Sequence, residues 1–403
     1  MKFNSLFPIS LLVAALFLIS DKADAQSNSI QPFNLVNSDD VIGPDSVAVR
    51  IPIAPDIRGS YCRSAKSDSV LRLAIVLSDI NGKKDTEFSR GFLMGMQKVE
   101  IPDGSLSLKM INGDIPQDSL IGVLNEFNPG VIFSTHDKEM PKTLLDYATS
   151  NYVKLFSPFD ARGEEYKKYP GVYQLLTPSL SFNQNAAKFL TDAYSDHIIL
   201  FIGDPDENDQ ILLEMVGVWP EEQLMLIDKE QFSQFKPQEG VNYLIYPAVA
   251  GEAEISAVMV EIKQMMQNNP LTGFRVIGRP NWVTINNLDK VVDGVEVLVP
   301  SKCYFDTSSD GAKRFIVEYK ENFEHTPIRS FPVYSVMGYD AARYFLPVLI
   351  GEIQGTVGEW KPQDMLQSYF SIGDNGWTQG AFNKGFYILH YLPANKMKKD
   401  LVN

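Results

Sequence analysis

The chain has 403 residues, of which 44% are hydrophobic and 21% charged, the proportions of an ordinary globular protein. Asp and Glu number 50 against 36 Lys and Arg, and the resulting formal charge of −14 opposes binding to nucleic acid or to anionic lipid. Two cysteines are too few for a CxxC-type zinc centre, and none of the four histidines sits in an H-E-x-x-H spacing.

The first residues, MKFNSLFPISLLVAALFLISDKADAQ, carry Lys2, an apolar stretch from Leu6 to Ile19, and the A-x-A signal Ala23-Asp24-Ala25. They predict a cleavable signal peptide over 1–25, a mature chain from Gln26 and a periplasmic destination. No cysteine follows the small residues, so no lipid anchor is expected, and no later stretch has the apolar length of a membrane span. Residues 26–69, rich in Ser, Asp, Asn and Pro, read as an irregular N-terminal segment. An oxidising compartment permits Cys62 and Cys303 to pair, but the sequence does not say whether their Cα atoms lie within the ~7 Å a disulfide needs.

From Leu71 the pattern becomes regular. The run "LRLAIVLSD" predicts a buried strand, and Phe88, Phe92, Leu93 and Met96 recur at helical spacing over 86–99. Next come the strand "SLSLKMING", the helix "DSLIGVLNEF", the strand Val131–Phe133, a helix over 140–149 and the strand "YVKLFSP". The alternation resumes with helical "SFNQNAAKFLTDAY", strand "HIILFIG", helical "DQILLEMV" and strand "QLMLID". After these stand the strand "VNYLIYP", the helix "AEISAVMVEIKQMMQ" and the strands "GFRVIG" and "GVEVLVPS". Short apolar strands alternating with helices imply parallel sheets. Two sets of about five strands predict an α/β chain of two Rossmann-like lobes, joined near Leu176–Leu180.

Two long helices, "SSDGAKRFIVEYKENF" and "VYSVMGYDAARYFLPVLIG", follow Ser301 and have no strands of their own to cover. They are expected to return to the first lobe. Lobe 1 is thus placed at 70–176, completed by 307–403, and lobe 2 at 177–306, with several crossovers forming a hinge. The segment "GAFNKGFYILHYL" alternates like an antiparallel hairpin or edge strands, and Lys396-Met397-Lys398-Lys399 reads as a solvated end.

Several motifs in this order resemble the type I periplasmic binding proteins, the branched-chain amino-acid receptor class. They are "FSRGFLMGM", "LFSPFDARGEEYKKYPGVYQLLTPSLSFNQNAAKFL", "VIGRPNWVTINNLDKVVDGVEVLVPSKCYFD" and "FIVEYKENFEHTPIRSFPVYSVMGYDAARYF". The resemblance covers about residues 70–392. It is strongest to receptor domains of secreted Bacteroidetes proteins, often fused to peptidoglycan-binding LysM repeats, although residues 26–69 lack the LysM two-helix pattern. It implies a fold that closes about its hinge on a ligand held by loops at the carboxyl ends of strands.

Those loops supply the candidate ligand-binding residues. Ser134 and Thr135 follow the third strand, where such receptors place hydroxyls against a ligand carboxylate, and Ser157 and Phe159 follow the fourth. Arg279 offers a bidentate anion clamp beside the indole of Trp282. Phe305 and Asp306 lie at the return crossing. Two of these loops have a structural alternative: Ser134, Thr135 or Asp137 as helix caps, and Trp282 as core with Arg279 ion-paired. Asp340 reads as a capping or inter-helix contact, and Gly91 and Gly95 as sites of close helix–sheet packing.

Catalysis is not expected. Ser134, His136 and Asp137 stand together on one loop, where neighbours point in different directions, and no G-x-S-x-G elbow presents a nucleophile. The acidic loop Asp204–Asp209 lacks the Gly and Glu of a calcium-binding loop and reads as solvated, so neither a metal nor a cofactor is expected. Expected instead is a non-enzymatic solute-binding protein for an amino acid or peptide-like molecule, serving an ABC-type permease or another envelope protein. The alternative is a binding fold repurposed as an interaction or regulatory module of the envelope, in peptidoglycan metabolism.

Overall fold

The computed structural model describes residues 70–162, 164–203, 206, 209–354, 365–372, 379–394 and 396–403. The expected signal peptide, the irregular segment 26–69 and Cys62, with its disulfide, lie outside the described residues.

In chain order the elements are β1 (Leu71–Leu77), α1 (Lys83–Met96), β2 (Leu106–Asn112), α2 (Gln117–Phe127), β3 (Val131–Ser134), α3 (Lys142–Ser150), β4 (Lys154–Ser157) and β5 (Val172–Gln174). There follow α4 (Ser179–Ala193), β6 (Ile198–Ile202), α5 (Gln210–Val216), β7 (Leu224–Ile227), α6 (Lys229–Ser233), β8 (Asn242–Pro247), α7 (Glu252–Asn268), β9 (Gly273–Ile277), α8 (Leu288–Val291) and β10 (Glu296–Ser301). The chain ends with α9 (Asp310–Phe323), α10 (Tyr334–Gln354), β11 (Ala381–Phe382), β12 (Phe386–Leu392) and β13 (Lys396–Val402). They fall into two compact units: residues up to Pro178 with Phe305–Asn383, and Ser179–Tyr304 with Lys384–Asn403.

Unit 1 is built on a parallel sheet in the order β2-β1-β3-β4-β5-β11. Its central strands are covered on both faces, which is why β1, "LRLAIVL", is apolar along its length rather than alternating. On one face Phe133 stacks on Phe156 at 4.7 Å and Phe156 on Tyr173 at 5.0 Å, with Phe345 of α10 tilted over Phe156 at 4.7 Å. On the other face Leu120, Leu124, Leu144 and Ala148 pack against Ala74, Ile132 and Leu155. Helices α1 and α10 meet backbone to backbone. A Cβ on Gly91 would lie 1.7 Å from the Ser335 carbonyl, and one on Gly338 would lie 2.1 Å from that of Phe88. These glycines therefore serve helix–helix approach, where helix–sheet packing was expected of Gly91 and Gly95.

Unit 2 repeats the same order one register later in sequence: β7-β6-β8-β9-β10, parallel throughout, extended by β12 and β13. In both units the first strand lies between the second and the third. The strand order therefore reverses at β1/β3 and again at β6/β8, where loops diverge to opposite faces and leave a crevice.

The described fold is thus an α/β chain with two mostly parallel sheets, and one detail of the sequence reading is corrected. Residues 386–402 do not complete lobe 1. β12 lies antiparallel to β10, because Phe386 and Ile388 are apolar, fully buried and needed to cover the core of unit 2. The lysines of Lys396–Lys399 are exposed, as expected of a solvated end, and the stretch opens edge strand β13, paired with β12 from Leu392↔Lys396 to Phe386↔Val402. Its outward lysines discourage pairing with a further chain.

Candidate functional site

At the β1/β3 reversal of unit 1 the polar side chains are bonded chiefly to one another. The Thr135 amide donates to the Val76 carbonyl at 3.0 Å, and the Ser78 amide donates to Thr135 Oγ1 at 2.9 Å. Ser78 Oγ donates to Asp85 Oδ2 at 2.9 Å, on the first turn of α1. Burial pushes the Asp85 carboxyl up, against the stabilising Asp79 amide. Lys84 pairs with Asp137 at 2.9 Å and lies 3.8 Å from Asp85.

Ser134 Oγ and His136 Nδ1 are 2.8 Å apart, so the structure brings together two neighbours that were expected to point apart. Burial, reinforced by the charge of Lys84, pushes the imidazole down to about 4, and it is neutral at pH 7. A hydroxyl on a neutral imidazole is two thirds of a hydrolytic triad, but the remaining parts are missing. Asp137 is committed to Lys84, and Ser134 is fully buried.

The next loop is different. Ser157, at the end of β4, is fully buried, and its Oγ has no partner among the described residues. Directly across the β4–β5 pair stands Gln174, also fully buried. Its Nε2 donates to the Asp160 carbonyl at 3.4 Å, while its Oε1 likewise has no partner among the described residues. Phe159 packs edge-on against Phe88 at 5.5 Å and Tyr334 at 5.4 Å. Asp160 anchors the loop: it accepts from Arg162 at 2.6 Å and from the Tyr166 hydroxyl at 2.5 Å. Burial and this carboxylate push the Tyr166 phenol up.

In unit 2 the expected anion clamp is occupied from within. Arg279, after β9, donates from Nε to Asp209 Oδ1 at 2.7 Å and from Nη2 to Asp209 Oδ2 at 2.6 Å, with Asp206 at 3.3 Å. The Tyr246 hydroxyl donates to the same Asp209 at 3.0 Å. In the loop read as solvated Asp206 is exposed, but Asp209 is fully buried, which corrects the reading at that residue: a buried carboxylate persists where a guanidinium neutralises it. Trp282 is fully buried and donates from Nε1 to the Val249 carbonyl at 2.9 Å.

The last two candidates belong to the entry of α9 in unit 1. Phe305 packs edge-on to Phe315 at 6.3 Å. Asp306 accepts from the Ser308 amide at 2.9 Å, one step before Ser309, whose hydroxyl caps the helix by accepting from the Ala312 amide at 3.2 Å. Asp340, read as a capping residue, accepts from the amides of Leu366, Gln367 and Ser368 at 2.8–2.9 Å. Sequence reasoning missed Gln174, Asp85 and Asp209. Gln174 could have been noticed as an amide ending an apolar strand of unit 1's sheet, as Asn112 ends β2, but nothing in the sequence pairs residues 209 and 279.

Among the described residues no group of His, Cys, Asp and Glu is arranged to hold a metal ion, and no helix is long and apolar enough to cross a membrane. No protein-family model matches the chain, and no curated protein matches it. Solved structures do resemble it. The branched-chain amino acid transporter substrate-binding protein LivJ of Streptococcus pneumoniae, crystallised with isoleucine, is 10% identical, with a TM-score of 0.42 over 83% of this chain and 99% of its own. The leucine-binding protein LivK of Thermotoga maritima is 14% identical, with a TM-score of 0.38 over 83% of this chain and 99% of its own. LpoA of Haemophilus influenzae is 12% identical, with a TM-score of 0.49 over 82% of this chain and only 59% of its own. The first two are of the receptor class that the sequence motifs resemble.

Proposed function

We propose that this chain is a non-enzymatic, periplasmic binding protein that takes a small polar ligand, an amino acid or peptide-like molecule, at the carboxyl end of the unit 1 sheet. The observation that carries the reading is the pair Ser157 Oγ and Gln174 Oε1, fully buried, facing each other in register and without partners among the described residues. Buried polar atoms are nearly always hydrogen-bonded, and each one left unmet costs about 1–3 kcal/mol. A ligand offering one acceptor and one donor satisfies both, with Phe159 as its apolar wall. A transporter permease is the partner that a receptor of this kind serves.

The test is a thermal-shift screen of amino acids, short peptides and muropeptides on the wild type and on Ser157→Ala. A ligand at about 100 times its Kd adds roughly 2.7 kcal/mol of stability. The wild type is expected to shift with at least one compound and Ser157→Ala to lose that shift. A shift that Ser157→Ala retains in full removes Ser157 from the site.

A second reading, an interaction or regulatory module of the envelope, is favoured by one specific fact. The groups best suited to an amino acid's carboxylate are already spent, Arg279 on Asp209 and Thr135 on Ser78 and Val76. Under that reading no compound in the screen shifts the protein, and its partner is another macromolecule.

A further inference from the structure

The outer strand of the unit 2 sheet lacks the protection that the opposite edge has. Among the described residues β7 pairs with β6 alone, from Ile199↔Leu224 to Ile202↔Ile227. The Gly203 amide donates to the Ile227 carbonyl at 2.9 Å on the β6 side, so by alternation Leu226 turns its own N–H and C=O away from the sheet. The Leu226 side chain is 66% exposed and that of Met225 36%. At the far edge, β13 guards the same kind of backbone row with exposed Lys396, Lys398 and Lys399. β7, "LMLI", has neither a charge nor a proline.

The apolar surface extends beyond the strand. Helix α5 packs Leu212 and Met215 into the cluster that holds Leu224, so it covers the sheet face to which Leu224 and, two residues on, Leu226 belong. Its outer side and the turn after it expose Leu213, Val216 and Val218. Five of the twelve large apolar side chains exposed among the described residues thus fall between positions 213 and 226. Apolar side chains scattered singly need no account, but a cluster along an open strand marks a contact surface.

The surrounding charge narrows what fits. Residues 210–230 carry Glu214, Glu221, Glu222, Asp228 and Glu230 against one cation, Lys229, which lies 3.8 Å from Glu254. β7 is bracketed by exposed carboxylates, Glu221 and Glu222 before it and Asp228 and Glu230 after it. Two copies joined edge to edge would set like charges against one another, whichever way the strands run, and an anionic bilayer would be repelled in the same way.

We propose that β7 receives an added strand from another protein, an extended segment with apolar side chains in its middle and Lys or Arg at both ends. Main-chain hydrogen bonds to the Leu226 peptide group supply the pairing, the exposed leucine and valine side chains the apolar contact, and the flanking carboxylates the selectivity. The surface lies wholly in unit 2 and does not rest on the Ser157–Gln174 pair or on the molecule that pair holds.

The experiment uses the full chain and fluorescein-labelled peptides with the core Val-Thr-Val-Thr-Val, flanked at both ends by Lys-Lys or by Glu-Glu, with binding read by fluorescence anisotropy. At low ionic strength the Lys-flanked peptide is expected to bind at least about tenfold tighter than the Glu-flanked one, and to weaken as salt is raised. Leu226→Lys, made on an exposed side chain, should keep the wild-type urea midpoint and lose that binding. Glu221→Lys combined with Glu222→Lys should move the preference toward the Glu-flanked peptide. No binding of the Lys-flanked peptide, equal binding of the two, or a preference unmoved by the charge reversal overturns the proposal, whatever the ligand screen on Ser157→Ala finds. A wild type that dimerises on concentration while Leu226→Lys stays monomeric assigns the edge to a second copy and overturns it as well.

Discussion

His136 and Arg279 show how single residues here divide between holding the fold and serving a ligand. In the folded chain the imidazole is pushed down to about 4, from an ordinary value of 6.5. Between those two pH values the unfolded chain binds a proton that the folded chain refuses, so stability rises with pH across this window and falls on acidification. Urea midpoints at pH 7 and pH 5 should therefore differ more in the wild type than in His136→Gln; equal differences would show that the buried imidazole contributes nothing. Arg279→Met leaves Asp209 buried without its guanidinium, held by the Tyr246 hydroxyl and the Asp206 amide, and the expected loss is about 3–5 kcal/mol in equilibrium unfolding. A ligand-contacting arginine would behave differently, losing affinity at unchanged stability. At this scale the sequence was only partly legible. It named Ser134, Ser157 and Arg279 because hydroxyls and guanidiniums after strands are visible in one dimension. It did not reveal that Arg279 is neutralised by a residue 70 positions away, since such a pairing exists only after the sheet has formed.

At the scale of elements, strands and helices followed from periodicity. The apolar runs that became β1, β6, β8 and β10 are continuous because both faces of a parallel sheet are covered, and that composition survives in the sequence. The contact of α1 with α10 was not legible, because a glycine says that a Cβ is unwelcome without saying what would meet it. Gly338→Ala and Gly122→Ala separate the two possibilities. In α2, Gly122 has nothing within 4 Å of its missing Cβ, so alanine there should stabilise by up to about 1 kcal/mol through helix propensity. At Gly338 the new methyl would strike the backbone of Phe88 and Phe92, and overpacking should outweigh propensity, for a net loss of about 2 kcal/mol or more. Chemical denaturation of both variants reads the signs directly. Strand β13 was missed for a related reason: an edge strand studded with lysines has the composition of a tail, and only its pairing with β12 makes it a strand.

Across the whole molecule, one strand order occurs twice, so the chain carries two carboxyl-end crevices on two sheets. That duplication was legible as two runs of alternating strands and helices. The destination of the C-terminal residues was not, because a hairpin can extend either sheet and local pattern does not choose. Both reversals are filled by their own side chains, Ser78, Thr135 and Asp85 in unit 1 and Arg279, Asp209 and Tyr246 in unit 2, while at β4/β5 of unit 1 a buried hydroxyl and a buried amide oxygen have no partner among the described residues. The central claim is that a small polar molecule meets those two atoms. Native mass spectrometry of the protein, purified from its own cells without denaturation, tests it most directly. The expected result is a population carrying one small adduct, lost from Ser157→Ala. A single bare mass for the wild type, unchanged after incubation with amino acids, peptides and muropeptides, would contradict it and turn the search toward a macromolecular partner.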